Sequence, residues 1–519
     1  MNKNYLESFV DGVYIKVMKK KVGLNFLFNI LSTVISLVLG IIIPRLFIVS
    51  LGSETNGLVT SVAQIYAYIG LMEAGIGATV LQALYAPIAR GDQRETNQIL
   101  SASHQYYRKI GILYIVCVFL LAFLYPCIVT TTIDIWTVVG VVIFSGLGGG
   151  INFLFQQNYV ILLAAEGKGY VTTVLTMIVN VATSLTKAIL LLLGFDVLAV
   201  MGTQFVITLI RIILLRIYIN KNYGWIDLTL PPKKEALSKQ KYVMVQQLSY
   251  FVYSNTDVLI LTAFCGLKTV SVYTIYNLVV GTLESVLAAF TNSVVFAFGQ
   301  MYSQDRIKFK RLFTMFDTLY MTLLFALFTV MYICVTPFMS LYTAGVTDAN
   351  YVDSKLALLF VLMKLVTTLR SQSQNSINFA GKFKETQKSA VIEAVSNLVV
   401  SAVAVQFVGI YGVLLGSIVS TFYRGISVTQ YSNKYIMEYT KKESIDKYRR
   451  WIVNLICFSA ISLVLRQSAS TCDTYLELVI FAGEITVVTL AIYFGALFVT
   501  DRKISMDAIS VVRERINQK

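Results

Sequence analysis

Ionisable residues interrupt stretches of this chain that are otherwise almost wholly apolar. Seven are basic: Arg45, Lys187, Arg211, Arg216, Lys364, Arg370 and Arg424. Acidic ones are Glu73, Asp257, Glu284, Asp317 and Glu393. A charge at such depth is costly, so it faces a partner or a polar cavity. Several belong to stripes of polar residues at helical spacing. Asn180, Thr183, Ser184 and Lys187 form one; Gln204, Thr208 and Arg211 form another. Lys364, Thr367, Thr368, Ser371, Asn375 and Asn378 make a longer one, and Ser417, Ser420, Thr421 and Arg424 a fourth. Further stripes are Asn152, Gln156 and Tyr159; Gln246, Tyr250, Tyr253 and Asp257; and Asn277, Gly281, Glu284 and Thr291.

Cations on wet faces at low dielectric suit an anionic headgroup, because charge-assisted hydrogen bonds are strong there. Lys187, Arg211, Lys364, Arg370 and Arg424 are therefore the expected substrate-binding residues, lining a hydrated cavity between two halves of the protein. Interhelical hydrogen bonding is the competing reading of the same stripes. Arg45 and Arg216 lie near the ends of their stretches and are expected to snorkel to the interface. Glu73, Asp257 and Glu284 are candidates for proton or sodium coupling, or else for internal salt bridges. No catalytic residue, metal set or bound cofactor is expected. His104, the single histidine, is expected in a solvated loop. The six cysteines are scattered without metal-ligand or disulfide spacing, and no nucleotide-binding glycine loop precedes a Lys-Ser/Thr pair.

The elements that must carry these residues are apolar runs, each close to the ~20 residues that cross a bilayer as a helix. They span 22–48, 57–84, 107–130, 136–163, 171–193, 197–219, 241–264, 270–298, 312–336, 354–378, 387–407, 411–432, 448–466 and 475–499. With 56% hydrophobic residues the chain exceeds what a soluble domain needs. The runs are continuous rather than alternating, which excludes a barrel. Backbone groups in lipid must be satisfied within each segment. The expected fold is thus an all-α polytopic membrane protein of fourteen helices.

The net charge of +15 invites a nucleic-acid reading, but its placement argues against one. With the N-terminus inside, the inside segments hold 33 of the 43 Lys and Arg residues and the outside gaps hold 3. That asymmetry predicts two cytoplasmic termini. The first 20 residues are polar and basic, and the run after them is too long for a cleavable signal, so a retained first helix is expected. The longest expected outer loop, about 338–353, has no room for a catalytic domain, which argues against an enzyme.

The chain also repeats itself. Gly52 and Gly266, Gly167 and Gly381, and Gly202 and Gly416 each lie 214 residues apart. An even number of helices per copy makes the repeat parallel. The expected organisation is a six-helix half over 1–220, a cytoplasmic linker over 221–240 with Pro231-Pro232, a second six-helix half over 241–433, and a helix pair with a basic tail over 434–519.

The stretch Leu51-Gly-Ser-Glu-Thr-Asn-Gly-Leu, then Ala74-Gly-Ile-Gly-Ala-Thr, then Ala89-Arg-Gly-Asp resembles the polysaccharide transporter family. That family includes the Wzx O-antigen and capsule flippases, within the superfamily that also holds multidrug exporters and the lipid II flippase. The six-plus-six-plus-two layout extends the resemblance over nearly the whole chain. It implies translocation of undecaprenyl-pyrophosphate-linked oligosaccharide across the bacterial cytoplasmic membrane by alternating access, with proton or sodium coupling. It further implies a glycan polymerase and a chain-length regulator as partners. A lipid II flippase and a cation-coupled multidrug exporter are the alternatives. The exporter fits less well, because cations outnumber acids at membrane depth.

Overall fold

Acidic residues are scarce in the apolar runs and mark where helices begin. Asp92, Asp134, Asp196, Asp305 and Asp353 each stand at a helix N-cap. Each accepts a hydrogen bond from a backbone N–H of the first turn, at 2.8–3.2 Å. Such a cap contributes about 1 kcal/mol and occupies a donor that the helix leaves free.

The computed structural model describes residues 3–73, 76–233, 251, 255–380, 382–465, 472–502, 504–507 and 510. The helices are α1 (Lys3–Gly70), α2 (Ile76–Arg90), α3 (Gln93–Ile128), α4 (Ile135–Phe155), α5 (Gln157–Ala165), α6 (Gly169–Leu192) and α7 (Val197–Asn222). They continue as α8 (Asn255–Phe264), α9 (Leu267–Gln304), α10 (Arg306–Tyr342), α11 (Ser354–Leu369), α12 (Ser371–Phe379), α13 (Phe383–Val408), α14 (Ile410–Tyr431), α15 (Lys441–Leu465) and α16 (Tyr475–Thr500). There is no strand among the described residues.

Among the described residues, eleven helices are long and apolar enough to cross a membrane. The all-α polytopic class therefore holds, and the expected count of fourteen differs at three places. The first expected span and the first half of the second fall on α1, which breaks at Gly52 (φ 82°, ψ 166°), and the second runs on into α2. The seventh lies largely outside the described residues, and so do Gln246, Tyr250 and Tyr253 of its stripe. The twelfth falls on α14, which carries too many polar side chains to be counted among the eleven.

The helices gather into two compact units, Met1–Ser271 and Val272–Lys519. Residues 255–271 thus lie in the first unit, although the sequence reading puts them in the second half. The core of the first unit is a continuous apolar cluster that includes Leu58, Val62, Ile76, Tyr107, Val118 and Val138. Glycines let its elements approach closely. A Cβ on Gly57 would stand 1.8 Å from the Leu267 carbonyl oxygen, and one on Gly146 would stand 2.3 Å from the Tyr66 ring.

In the second unit α13 and α14 form a tight hairpin through Gly409 (φ 58°). Gly412 and Gly416 face Ala404 and Ser401, where a Cβ would come within 2.3–2.4 Å of the opposing atoms. This is the small-residue pattern that membrane helices use where lipid removes any hydrophobic drive to associate. Asn397 donates to Ser417 Oγ (2.8 Å) across the same seam.

Several backbone features recur at nearly one spacing. Gly52 and Gly266 have φ of 82° and 81°. The N-caps Asp92 and Asp305 lie 213 residues apart. Gly194 and Gly409, both with positive φ, lie 215 apart. Helices also break at Gln156, between α4 and α5, and at Arg370, between α11 and α12. Those two positions are 214 apart. Gln156-Gln157-Asn158 and Ser371-Gln372-Ser373 supply polar side chains that compete for backbone hydrogen bonds, as Ser376 does by bonding the Ser373 carbonyl (2.7 Å). Gly381 of the expected glycine series lies outside the described residues.

Candidate functional site

The two helix breaks set up different chemistry in the two units. In the first unit, α4 ends at Asn152 and Gln156, α5 begins at Gln157, and α6 presents Thr172, Thr173 and Thr176. With Arg211 from α7 these residues line a polar cavity of about 360 Å³. Arg211 donates one hydrogen bond, to Asn152 Oδ1 at 3.2 Å. Its Nε and the Oε1 of Gln156 are buried and without a hydrogen-bond partner. No carboxylate lies within ion-pair distance of Arg211 among the described residues. Asn152, Gln156 and Arg211 come from two separate sequence stripes, and the structure brings them together. The three threonines were not singled out from the sequence, although Thr172 and Thr176 have the i, i+4 spacing of one helix face.

Lys187 lies on α6 with its ammonium 5.8 Å from the centre of the Phe47 ring. A cation–π contact stabilises a desolvated ammonium without neutralising it. Lys187 also has no carboxylate within ion-pair distance among the described residues. Glu73, at the end of the 3₁₀ turn after α1, is held by two donors. Tyr107 Oη donates to its Oε1 at 2.9 Å and Gln157 Nε2 to the same oxygen at 2.7 Å. Gln157 thus links this carboxyl to the edge of the Arg211 cavity. Asp257 is buried on α8, next to Thr256, whose hydroxyl pairs with Tyr68 Oη at 2.7 Å.

The second unit pairs its cations. Lys364 on α11 meets Glu284 on α9 at 2.9 Å, with Gly281 directly facing the lysine. Arg370, at the break between α11 and α12, bonds Glu393 Oε1. Arg424 on α14 reaches the other oxygen of Glu393 through Nε at 3.7 Å. Arg424 also donates to the Thr386 carbonyl (2.6 Å), to Ser389 Oγ and to Gln374 Oε1 (3.3 Å). Glu393 is 6% exposed and Arg424 9%, so this is a dry Arg–Glu–Arg cluster. The Ser417, Ser420 and Thr421 face of α14 is buried in the helix seam rather than lining an open cavity.

Glu393 belongs to none of the polar stripes read from the sequence. Its two partners lie on other helices, so no spacing on α13 points to them. Lys447 and Arg450 are not among the residues that the polar stripes single out. Lys447 pairs with Asp317 at 2.7 Å, and Arg450 with Asp501 at 3.2 Å, on buried faces of α15. His104 is a correction of another kind. Helix α3 starts at Gln93, so His104 is helical and partly buried rather than in a loop. All six cysteines are free thiols.

The architecture is a polytopic helical membrane fold, similar to those of solved transporters of the MOP superfamily. An inward-facing multidrug resistance MATE transporter of that superfamily is similar over 77% of this chain and 94% of its own, with TM-score 0.65 and 14% identity. The lipid II flippase MurJ in an inward closed conformation is similar over 91% of this chain and 100% of its own, with TM-score 0.65 and 13% identity. A MOP superfamily transporter from Pyrococcus furiosus Vc1, described as having a binding pocket of reverse polarity, matches with TM-score 0.51 and 14% identity over 82% of this chain and 95% of its own. At such identities the likeness is one of fold. No family model and no curated protein sequence matches the chain.

Proposed function

We propose that this protein is a membrane transporter that translocates a lipid-linked oligosaccharide, of the undecaprenyl-pyrophosphate class, across the cytoplasmic membrane. The observation that carries the reading is the contrast between the units. Lys364, Arg370 and Arg424 face carboxylates, whereas Lys187 and Arg211 face none among the described residues. A cation at membrane depth without a counter-charge is costly to keep and is retained where it binds something. Arg211 in a cavity of amide and hydroxyl groups offers a guanidinium to a phosphate and hydrogen bonds to sugar hydroxyls. The recurrence at 213–215 residues supports two copies of one helical module, and the inside excess of Lys and Arg supports cytoplasmic termini. Purified protein is expected to bind undecaprenyl pyrophosphate at least about tenfold more tightly than undecaprenol, one unit of ~1.4 kcal/mol per decade. Equal affinity for the two would remove the phosphate from the account.

The similarity to MurJ over the full length of that chain favours lipid II as the second substrate, because it presents the same pyrophosphate. Binding of lipid II at the same strength as an undecaprenyl-linked O-antigen unit would favour that reading.

Glu73 is the coupling acid we favour. Glu284 is occupied by Lys364, whereas among the described residues Glu73 is held by neutral donors, Tyr107 and Gln157. A carboxyl so held keeps its acceptor oxygen in either protonation state. Glu73→Gln preserves that oxygen and removes the titrating proton. Transport by this variant in proteoliposomes should continue at a reduced rate that no longer responds to a proton or sodium gradient. An unchanged gradient response would exclude Glu73.

A further inference from the structure

A second cavity of the first unit, about 900 Å³, opens between α3, α4–α5 and α7. Its walls are apolar, and Ile112, Phe155, Ile213 and Ile217 are each 52–59% exposed. One end is basic: Arg108, His104 and Arg216 line it. The Arg216 guanidinium lies 5.1 Å from the centre of the Tyr159 ring and donates to the Tyr159 hydroxyl. Neither Arg108 nor Arg216 has a carboxylate within ion-pair distance among the described residues.

The basic end runs into an adjoining cavity of about 400 Å³, which shares Tyr159, Arg216 and Leu228 and adds polar Asn220 and Thr229. Its outer wall is the segment after α7, strapped against α3. Asn97 donates to the Trp225 carbonyl (3.0 Å), Ser101 to the Leu228 carbonyl (3.1 Å), and Lys233 N–H to the Gln98 carbonyl (3.1 Å). The one carboxylate in this wall, Asp227, is engaged by the Thr229 hydroxyl (2.6 Å) and amide (2.9 Å). The Arg211 cavity shares no lining residue with either space.

We propose that this cleft is a binding site for an anionic phospholipid of the leaflet at this end of the helices. The acyl chains lie along Ile112, Phe155, Ile213 and Ile217, and the phosphate sits between Arg108 and Arg216. The geometry matches an amphiphile: a long apolar trough ends in two cations and then in a smaller polar chamber of headgroup size. A soluble anion would leave the trough uncovered, and a zwitterionic lipid such as phosphatidylcholine would bring its own ammonium up to the two guanidinium groups along with its phosphate. The inference does not depend on the transported substrate.

The test is native mass spectrometry of the delipidated full-length protein, given phosphatidylglycerol or phosphatidylcholine with identical acyl chains. The wild type should retain phosphatidylglycerol about tenfold better. Arg108→Gln with Arg216→Gln should erase that preference, and the corresponding double Lys variant should restore it. Ile213→Trp, which fills the trough and keeps both charges, should reduce retention of phosphatidylglycerol as well. Rescue by the Lys variant separates lost binding from lost folding. Equal retention of the two lipids by the wild type, or an unchanged preference in the Gln variant, overturns the proposal. So does displacement of bound phosphatidylglycerol by an equal concentration of inorganic phosphate, which would make it a free-anion site.

Discussion

Arg211→Met is expected to slow translocation of a pyrophosphate-linked glycan at least about tenfold while the protein still inserts and folds. Methionine keeps an unbranched apolar stem, so the packing that Arg211 makes along its aliphatic carbons is largely retained. What disappears is a guanidinium that, among the described residues, has one neutral partner, Asn152, and a buried Nε that bonds none of them. Removing it relieves a desolvation cost, so the unfolding midpoint should stay level or rise. A hydrogen bond to a charged group contributes about 1.5–3 kcal/mol, enough for the tenfold change. Lys187→Met should move in the same direction, since Lys187 too lacks a carboxylate partner among the described residues. Transport rates and melting midpoints measured on the same preparations decide this. Wild-type transport in both variants would assign the two cations to structure.

Glu393→Ala should do the reverse and destabilise the protein by about 3–5 kcal/mol, the cost of leaving buried charges without a partner. One carboxylate serves both Arg370 and Arg424, and all three side chains are 15% exposed or less. Removing either arginine alone is milder, because the other still pairs with Glu393. Adding Arg424→Met to Glu393→Ala should recover part of the loss, since one of the two stranded cations is gone. Thermal unfolding of the detergent-purified variants measures both effects. If Glu393→Ala melts with the wild type yet abolishes transport, the cluster is a substrate or coupling site and not a structural one.

These two predictions mark the limit of what the sequence makes legible. Span positions follow from composition, because twenty apolar residues in a row have few other uses. The matched turns were legible too, since Gly52 and Gly266 must be glycine for their positive φ. The stripes identified which residues are polar at depth, yet not what faces them. On α14 the stripe of Ser417, Ser420 and Thr421 is buried, with Ser417 accepting from Asn397 of α13. On α4 and α7 the stripes of Asn152, Gln156 and Arg211 meet around open space. The difference lies in which helix stands opposite, a long-range property that periodicity does not carry. For the same reason Lys364, Arg370 and Arg424 looked equivalent to Lys187 and Arg211. Each partner carboxylate lies on another helix, Glu284 on α9 or Glu393 on α13.

The most direct measurement of the central claim is translocation in proteoliposomes, comparing a fluorescent undecaprenyl-pyrophosphate-linked oligosaccharide with a cationic drug, for the wild type and for Arg211→Met. The account predicts that the wild type moves the lipid-linked glycan and not the drug, and that Arg211→Met loses the glycan activity. Export of the drug without the glycan, or glycan transport indifferent to Arg211→Met, would contradict it.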